Sequence, residues 1–184
     1  MIYTAITDKK DKPRKDITCL NGYNRFKTGR MNAKVFKVLP HLYLDDEYTI
    51  WIDGNLHLKV SEEELLQLAE GHDVTVFRHP YRSSVYEEAE ECKKIGLDDA
   101  DVIDQQMQRY MSEGFVSKDL ACCFLIIRKN TPEVNRLNEQ WWAEICRGSS
   151  RDQLSFPYVF RDVNYIYISN IKDNLYFTRK GHLK

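Results

Sequence analysis

The chain has 184 residues, of which 42% are hydrophobic and 12% aromatic, and its formal net charge at pH 7 is −1. A chain of this length and composition can bury one continuous core, so we predict a single domain over residues 1–184. The charge gives no reason to expect binding to nucleic acid, which requires a strong basic excess, and no apolar run is long enough to span a membrane.

The first part of the chain predicts strands that alternate with helices. Ile2 to Thr7 has the composition of a buried strand and leads into a long polar loop over residues 8–30. Apolar residues recur at helical spacing from Ala33, and Pro40 ends or kinks that helix. The next predicted elements are a strand at 48–52, a helix at 62–70 that opens on a capping box of Ser61 and Glu64, and a strand at 74–77.

The second part of the chain continues this alternation. Thr131 and Pro132 suit the N-cap and the first turn of a long helix. The other predicted elements are helices at 85–94, 99–111 and 151–156, and strands at 120–127 and 165–168. The pattern predicts an α/β sandwich in which helices flank a mainly parallel sheet. Such folds bind ligands beyond the carboxyl ends of their strands.

The turn Asp53-Gly54-Asn55 is the sharpest candidate site, because it directly follows a predicted strand. Gly54 allows a ligand to approach the backbone. Asp53 and Asn55 offer two oxygen donors, which suit a hard divalent cation that bridges phosphate oxygens. The same triplet is also a common turn sequence, so spacing alone leaves both interpretations open.

Four other side chains are candidates for chemistry. His79 also follows a strand, where it can donate to a phosphate or a sugar hydroxyl, although a structural histidine has the same pattern. Asp152 can accept a proton from a hydroxyl nucleophile, with Arg151 beside it for phosphate charge, or it can simply stabilise a helix N-terminus. His182 can fold back as a metal ligand, but terminal residues are often disordered.

The five cysteines form no CxxC pair, so we expect reduced and mostly buried thiols rather than a zinc site. The N-terminus leads directly into charged residues and has no signal-peptide pattern. Together these observations predict a soluble cytoplasmic protein.

Three blocks of sequence follow one another in a fixed order. They are KVLPH and YTIWIDG within residues 31–60, HPYR, VYEEA and IDQQ within residues 79–106, and WWAE and RDQLSF within residues 141–156. Together they resemble the glycosyltransferase-like domain that is shared by plant mucilage-related and turgor-regulation proteins and by many bacterial and phage proteins. The resemblance covers roughly Tyr3 to Val159, and it is more specific than any single motif because several blocks agree in order and spacing.

The resemblance implies a Rossmann-like GT-A fold and the transfer of a sugar from a nucleoside-diphosphate sugar, a UDP-sugar in the first place, to a hydroxyl acceptor. In that class an acid after a central strand binds Mn²⁺ or Mg²⁺ together with the diphosphate, so Asp53 inherits this role, and Asn55 stands where the second acid usually is. By the same resemblance Asp152 lies near the acceptor and His182 joins the metal. The residues assigned to the donor nucleotide are Thr7, Asp8, Arg30, Lys34, Lys37, Trp51, Ile52, Asp53 and Gly54.

Alternatives to this function stay open. Asn55 and the short chain are also compatible with a module that binds a nucleotide sugar without turnover. A hydrolase ranks last: a plant member of the resembled family has been connected with ceramide hydrolysis, but the sequence has no convincing zinc-ligand cluster and no membrane-facing segment. The stereochemistry is equally open, because a base at Asp152 implies inversion of the anomeric centre, whereas a positioning role is compatible with retention.

Overall fold

The computed structural model describes residues 1–162, 165–168 and 175–180 of the chain. The strands are β1 (Ile2–Ala5), β2 (Thr18–Leu20), β3 (Tyr48–Ile52), β4 (Leu56–Leu58), β5 (Val74–Arg78), β6 (Ala121–Lys129), β7 (Tyr165–Ile168) and β8 (Phe177–Arg179). The helices are α1 (Gly29–Val38), α2 (Glu62–Leu68), α3 (Val85–Lys94), α4 (Ala100–Ser112), α5 (Pro132–Arg147) and α6 (Asp152–Val159), and a 3-10 turn at Pro40–Leu42 follows α1. Within these ranges no helix is long and apolar enough to cross a bilayer.

Six of these strands form one sheet in the order β2-β1-β3-β6-β5-β7. β1 pairs parallel with β2 and β3, and β5 pairs parallel with β7, whereas β6 lies antiparallel between β3 and β5. The sheet is therefore mainly parallel, and the predicted α/β sandwich is confirmed. β4 and β8 pair with each other in a small antiparallel sheet.

Two helices begin where their capping residues predict. The Ser61 hydroxyl accepts from the Glu64 N–H, and the Glu64 carboxylate accepts from the Ser61 N–H at 2.8 Å. At α5, the Thr131 hydroxyl accepts from the Val134 N–H and Pro132 occupies the first turn. These contacts satisfy amide groups that the first helical turn leaves without a partner, which fixes both helix starts.

Other elements differ from the prediction. α1 begins at Gly29 rather than at Ala33, because the Thr28 hydroxyl caps it by accepting from the Met31 N–H. The helix ends at Val38, before the predicted break at Pro40, and Leu42 beyond it is 59% exposed. The strands β2, β4 and β8 were missed, since each has only three residues and shows too little alternation to distinguish a strand from a loop.

Apolar side chains cover both faces of the sheet. Trp51 faces a cluster built with α1, α5 and α6, whereas its neighbours Ile50 and Ile52 face a second cluster built with α2, β4 and β8. This division follows from the two-residue repeat of side chains along a strand. As expected, all five cysteines are free, and Cys92, Cys122 and Cys123 are buried.

Candidate active site

A cleft of about 560 Å³ opens beyond the ends of β1 and β3, at the sheet edge where the sequence predicts a ligand. This cleft is lined by the loop after β1, by residues along one face of α1, by the turn after β3 and by the start of α6. The predicted site residues in its lining are Thr7, Asp8, Arg30, Lys34, Lys37, Trp51, Asp53, Gly54, Asn55, Arg151 and Asp152. The fold thus gathers residues that are far apart in the sequence.

The turn after β3 is held against β6. β6 extends past the last residue of β3, so that the Asp53 N–H donates to the Phe124 carbonyl at 2.8 Å. The Leu56 N–H donates to the Asp53 carbonyl at 2.9 Å and closes the turn. These bonds fix the backbone of Asp53 at the edge of the cleft, where its side chain is 41% exposed.

Two side chains in the described part of the chain contact the Asp53 carboxylate. Its Oδ1 accepts from the Trp51 indole N–H at 2.9 Å and lies 3.5 Å from the Lys37 Nζ. Trp51 is itself held by an edge-to-face contact with Tyr3, with ring centroids 5.3 Å apart. Trp51 therefore sets the orientation of the carboxylate towards the cleft.

A buried ion cluster forms the wall next to Asp53. Lys34 and Lys37 are three residues apart on α1, so their side chains project from the same face. The Lys34 Nζ lies 2.9 Å from Asp152 Oδ1, and the Lys37 Nζ lies 2.5 Å from Asp152 Oδ2. The three side chains are between 6% and 9% exposed, so one buried carboxylate bridges two buried ammonium groups.

Burial and the neighbouring charges shift the pKa of each group in this cluster. Burial would raise the pKa of the Asp152 carboxyl, but Lys34 and Lys37 outweigh burial and hold that pKa well below its usual range. Burial would lower the pKa of Lys37, but Asp152 and Asp53 hold it above its usual value. The pKa of Lys34, whose one ion pair within the described residues is with Asp152, is lowered by burial. Asp152 is therefore an ionised counter-ion for Lys37.

This protonation affects the role predicted for Asp152. A carboxylate with a strongly depressed pKa is a weak proton acceptor at neutral pH. Both of its oxygens already lie beside ammonium groups. The arrangement favours a positioning role, and the predicted base role of Asp152 stays a prediction.

Arg151 and Gln153 extend the cleft along the start of α6. Arg151 occupies the N-cap position, and its Nη2 donates to the Gln153 Oε1 at 3.2 Å. The Gln153 Nε2 donates to the carbonyl of Ala121, at the start of β6, at 3.1 Å. The preceding loop is held by Asp98, whose carboxylate accepts from the Ser150 N–H at 2.7 Å. These hydrogen bonds place Arg151, the predicted phosphate-binding residue, at the start of α6 in the cleft lining.

The residues at the turn fit a divalent cation that is held largely by its substrate. Asp53 and Asn55 supply oxygen donors, which Mg²⁺ and Mn²⁺ prefer, and Mg²⁺ sites commonly combine one or two carboxylates with substrate phosphates. Over the described ranges, no group of three or more His, Cys, Asp or Glu side chains is placed to hold a metal on its own. His182 lies outside the described residues.

Two predicted site residues lie away from the cleft lining. Ile52 is fully buried in the cluster on the other face of the sheet, so its side chain cannot contact a ligand in the cleft. The His79 Nδ1 accepts from the N–H groups of Tyr81 and Arg82 at 3.3 and 3.0 Å, and burial together with the Arg82 charge lowers the pKa of its ring. These contacts are those of a structural histidine, and a catalytic role for His79 stays a prediction.

The cleft is also lined by residues for which the sequence predicts no role, among them Asp11, Cys123, Phe124, Gln153 and Arg179. The sequence does hold a local indication that Gln153 lies at the site, because it directly follows Asp152 at the start of a predicted helix. Arg179 had none: it reaches the cleft because β8 pairs with β4, and its guanidinium carbon lies 4.9 Å from the centroid of the Phe124 ring.

The fold and the cleft together define a Rossmann-like α/β domain whose ligand site lies at the carboxyl edge of its sheet. Comparison with known proteins identifies one family within this class. The chain belongs to the TOD1/MUCI70 glycosyltransferase-like domain family, which matches residues 18–178. The resemblance carried by the three sequence blocks is therefore confirmed.

Two known proteins are similar to the chain. It is 33% identical over 147 residues to the probable hexosyltransferase MUCI70 of Arabidopsis thaliana, and this match covers 73% of the chain and 25% of the plant protein. Its structure is similar to that of mouse xyloside xylosyltransferase 1 in the apo form, with a TM-score of 0.46 and 14% identity over 88% of this chain and 66% of the mouse chain. The chain thus spans about a quarter of the plant relative and just under two thirds of the mouse chain.

Proposed function

We propose that this chain is a glycosyltransferase that moves a sugar from a nucleoside-diphosphate sugar, a UDP-sugar in the first place, to a hydroxyl acceptor. The observation that carries the proposal is the buried cluster of Lys34, Asp152 and Lys37 on the cleft wall, in which Lys37 lies 3.5 Å from Asp53. Family membership supports glycosyl transfer in general. The relative named as a probable hexosyltransferase supports a hexose as one candidate for the transferred group.

The cluster suits the charge that develops during sugar transfer. As the bond to the sugar breaks, negative charge builds up on the departing nucleoside diphosphate and must be stabilised. Lys34 and Lys37 are two ammonium groups that face the carboxylates of Asp152 and Asp53, and a cation bound at Asp53 would leave their positive charge available to the diphosphate. Because these groups are buried and fixed, little reorganisation is needed when the charge develops. Arg30 and Arg151 line the same cleft and can donate to phosphate oxygens.

Asp53, Asn55 and His182 are the residues proposed to hold Mn²⁺ or Mg²⁺. When bound, the cation supplies further charge stabilisation to the diphosphate. The oxygen donors of Asp53 and Asn55 support this assignment. The Lys180 N–H donates to the Asn55 carbonyl at 2.9 Å, so β8 and the residue after it lie beside this turn.

The loop after β1 is proposed to contact the nucleoside. Thr7 and Asp8 of this loop line the cleft, and the Thr7 hydroxyl donates to the Gly29 carbonyl at 2.6 Å, which ties the loop to the start of α1. A Cβ added at Gly29 would lie only 3.1 Å from the Asp8 Cβ, so glycine permits this close approach. Trp51 contributes through its bond to Asp53, Gly54 leaves room at the backbone, and Ile52 acts only by anchoring the end of β3.

The two ion pairs of Asp152 help to decide whether the proposed reaction retains or inverts the anomeric configuration. A base that activates the acceptor hydroxyl must have a free oxygen within hydrogen-bond reach of it. Both oxygens of Asp152 lie within 2.9 Å of ammonium groups, which supports a positioning role and, with it, retention of the anomeric configuration. If Asp152 nevertheless acts as the base, the reaction inverts.

A second candidate function is a module that binds a nucleotide sugar without turnover. Asn55 in place of a second acid, together with the occupied Asp152 carboxylate, favours this alternative. No specific observation favours a hydrolase, which is therefore not proposed.

Donor hydrolysis separates the two candidates. Purified protein is incubated with a panel of nucleoside-diphosphate sugars and Mn²⁺, and release of the free nucleoside diphosphate is measured for the wild type, for Asp152→Asn and for the control Asp45→Asn, an exposed acid outside the cleft lining. A transferase is expected to release nucleoside diphosphate from at least one donor, with the activity lost in Asp152→Asn alone. Binding of a donor without any release supports the inactive module instead.

A further inference from the structure

Glu88 is a buried carboxylate that does not line the cleft. It lies on the inward face of α3 with Val85, Ala89 and Cys92, and its side chain is 3% exposed. A charge at such a position is costly to bury unless it is paired with an opposite charge. A carboxylate at this position therefore needs cationic partners.

Two arginines from different parts of the chain meet at Glu88. Its Oε2 lies 2.5 Å from the Arg82 Nε, and its Oε1 lies 3.9 Å from the Arg151 Nη2. The Arg82 Nη2 lies 3.1 Å from the His79 Nε2. One carboxylate thus connects the loop after β5 with the start of α6, where Asp152 begins the helix.

Stability alone is a weak reason for such a contact. Replacing a buried ion pair by apolar residues of similar size is often neutral or stabilising, whereas removing one partner leaves a buried charge unpaired. Arg151 is 19% exposed and lines the cleft, next in sequence to the buried ion cluster at Asp152. Among the described ion pairs, the one carboxylate paired with Arg151 is that of Glu88, and the same Nη2 also donates to the neutral Gln153 Oε1 at 3.2 Å.

We infer that Glu88 is a positioning residue that holds the Arg151 guanidinium at the cleft wall, where it contacts the diphosphate of a bound nucleotide. The inference rests on the proposed function, because it needs a diphosphate in the cleft. Glu88 acts through Arg151 and contacts no ligand itself.

Calorimetric titration with UDP and with uridine, both in the presence of Mn²⁺, tests this role. The variants are Glu88→Gln, Arg151→Gln, the double variant, and the control Glu90→Gln, an acid on the same helix that is 75% exposed. Glu88→Gln is expected to weaken UDP binding about fivefold while leaving uridine binding unchanged. The double variant is expected to bind UDP no more weakly than Arg151→Gln, because both changes remove the same contact. Glu90→Gln is expected to bind like the wild type.

Three results with the variants would overturn the inference while leaving the proposed function intact. UDP binding unchanged in Glu88→Gln would mean that Glu88 is only structural, and so would equal losses for UDP and uridine. A full additional loss in the double variant would mean that Glu88 acts independently of Arg151. Should Glu88→Gln not fold, Glu88→Asp keeps the charge but draws it back from Arg151, and the same selective loss for UDP is expected. A wild type that binds neither UDP nor inorganic pyrophosphate would contradict the proposed function itself, and the inference with it.

Discussion

The Lys37 ammonium lies 2.5 Å from Asp152 Oδ2, so a lysine of the first helix pairs with an acid at the start of α6. The same ammonium lies 3.5 Å from Asp53 Oδ1. One buried cation therefore connects the turn proposed to bind a metal with the acid predicted on the acceptor side. Substitutions at these three positions should affect nucleotide binding and stability together.

Replacing Lys37 by methionine is expected to weaken UDP binding by about ten- to a hundredfold, the size of a lost charged hydrogen bond. Methionine fills much of the same buried volume but cannot stabilise a phosphate. Calorimetric titration measures the effect, and Lys27→Met, an exposed lysine outside the cleft lining, is the matched control. An unchanged affinity in Lys37→Met would mean that the diphosphate does not bind beside this residue.

Asp152→Asn is expected to lower the free energy of unfolding by about 3–5 kcal/mol, because it removes the carboxylate that two buried ammonium groups share and leaves Lys37 with the more distant Asp53 carboxylate. Urea denaturation followed by circular dichroism measures this loss. The control is Asp162→Asn, whose side chain is 90% exposed and whose effect should stay within about 0.5 kcal/mol. If both variants are as stable as the wild type, the ion cluster does not contribute to folding.

The stability gained through Asp152 should depend on pH in a defined direction. Its pKa is depressed in the folded state, burial being outweighed by Lys34 and Lys37, so below about pH 4 the unfolded chain takes up a proton that the folded protein does not. The contribution is therefore complete above that pH and is lost as the pH falls towards the folded-state pKa. The difference in unfolding free energy between the wild type and Asp152→Asn should shrink with acidification. A difference that stays constant would mean that Asp152 has an ordinary pKa.

Asn55→Asp is expected to raise the affinity for Mn²⁺ about tenfold when UDP is present, because a charged carboxylate replaces an amide among the proposed ligands. Trp51 donates to Asp53, so its fluorescence is a suitable signal for the titration. Asn21→Asp, on the exposed loop between β2 and α1, adds the same charge outside the cleft lining and should leave the affinity unchanged. Equal Mn²⁺ affinity in wild type and Asn55→Asp would place the metal away from Asn55.

The parts of the site that the sequence predicts are those with local signals. Tyr48 to Ile52 is a β-branched and aromatic run that ends at a turn triplet, and the structure has the strand at the same bounds. Lys34 and Lys37 share a helix face because of their three-residue spacing. Both signals depend only on neighbours in the chain, and both place residues at the cleft.

The parts that could not be predicted depend on distant contacts. No local pattern pairs Lys37 with Asp152, since that contact is set by where the start of α6 meets α1. The three-residue strand β8 pairs with β4, which is more than a hundred residues earlier in the chain, and this pairing brings Arg179 to the cleft. Glu88 stands in an acidic run that suggests a solvated helix face, yet it is buried because two arginines from outside the helix reach it.

The proposed metal and diphosphate site at Asp53 is tested by measuring the melting temperature of the wild type, Asp53→Ala and Asp45→Ala with Mn²⁺ and UDP added together. At about a hundredfold excess over Kd, the wild type and Asp45→Ala are expected to melt roughly 5–10 °C higher than without ligand. Asp53→Ala is expected to gain much less, because Asp53 links the metal and the diphosphate to the turn after β3. Equal gains in all three proteins would contradict a metal and diphosphate site at Asp53.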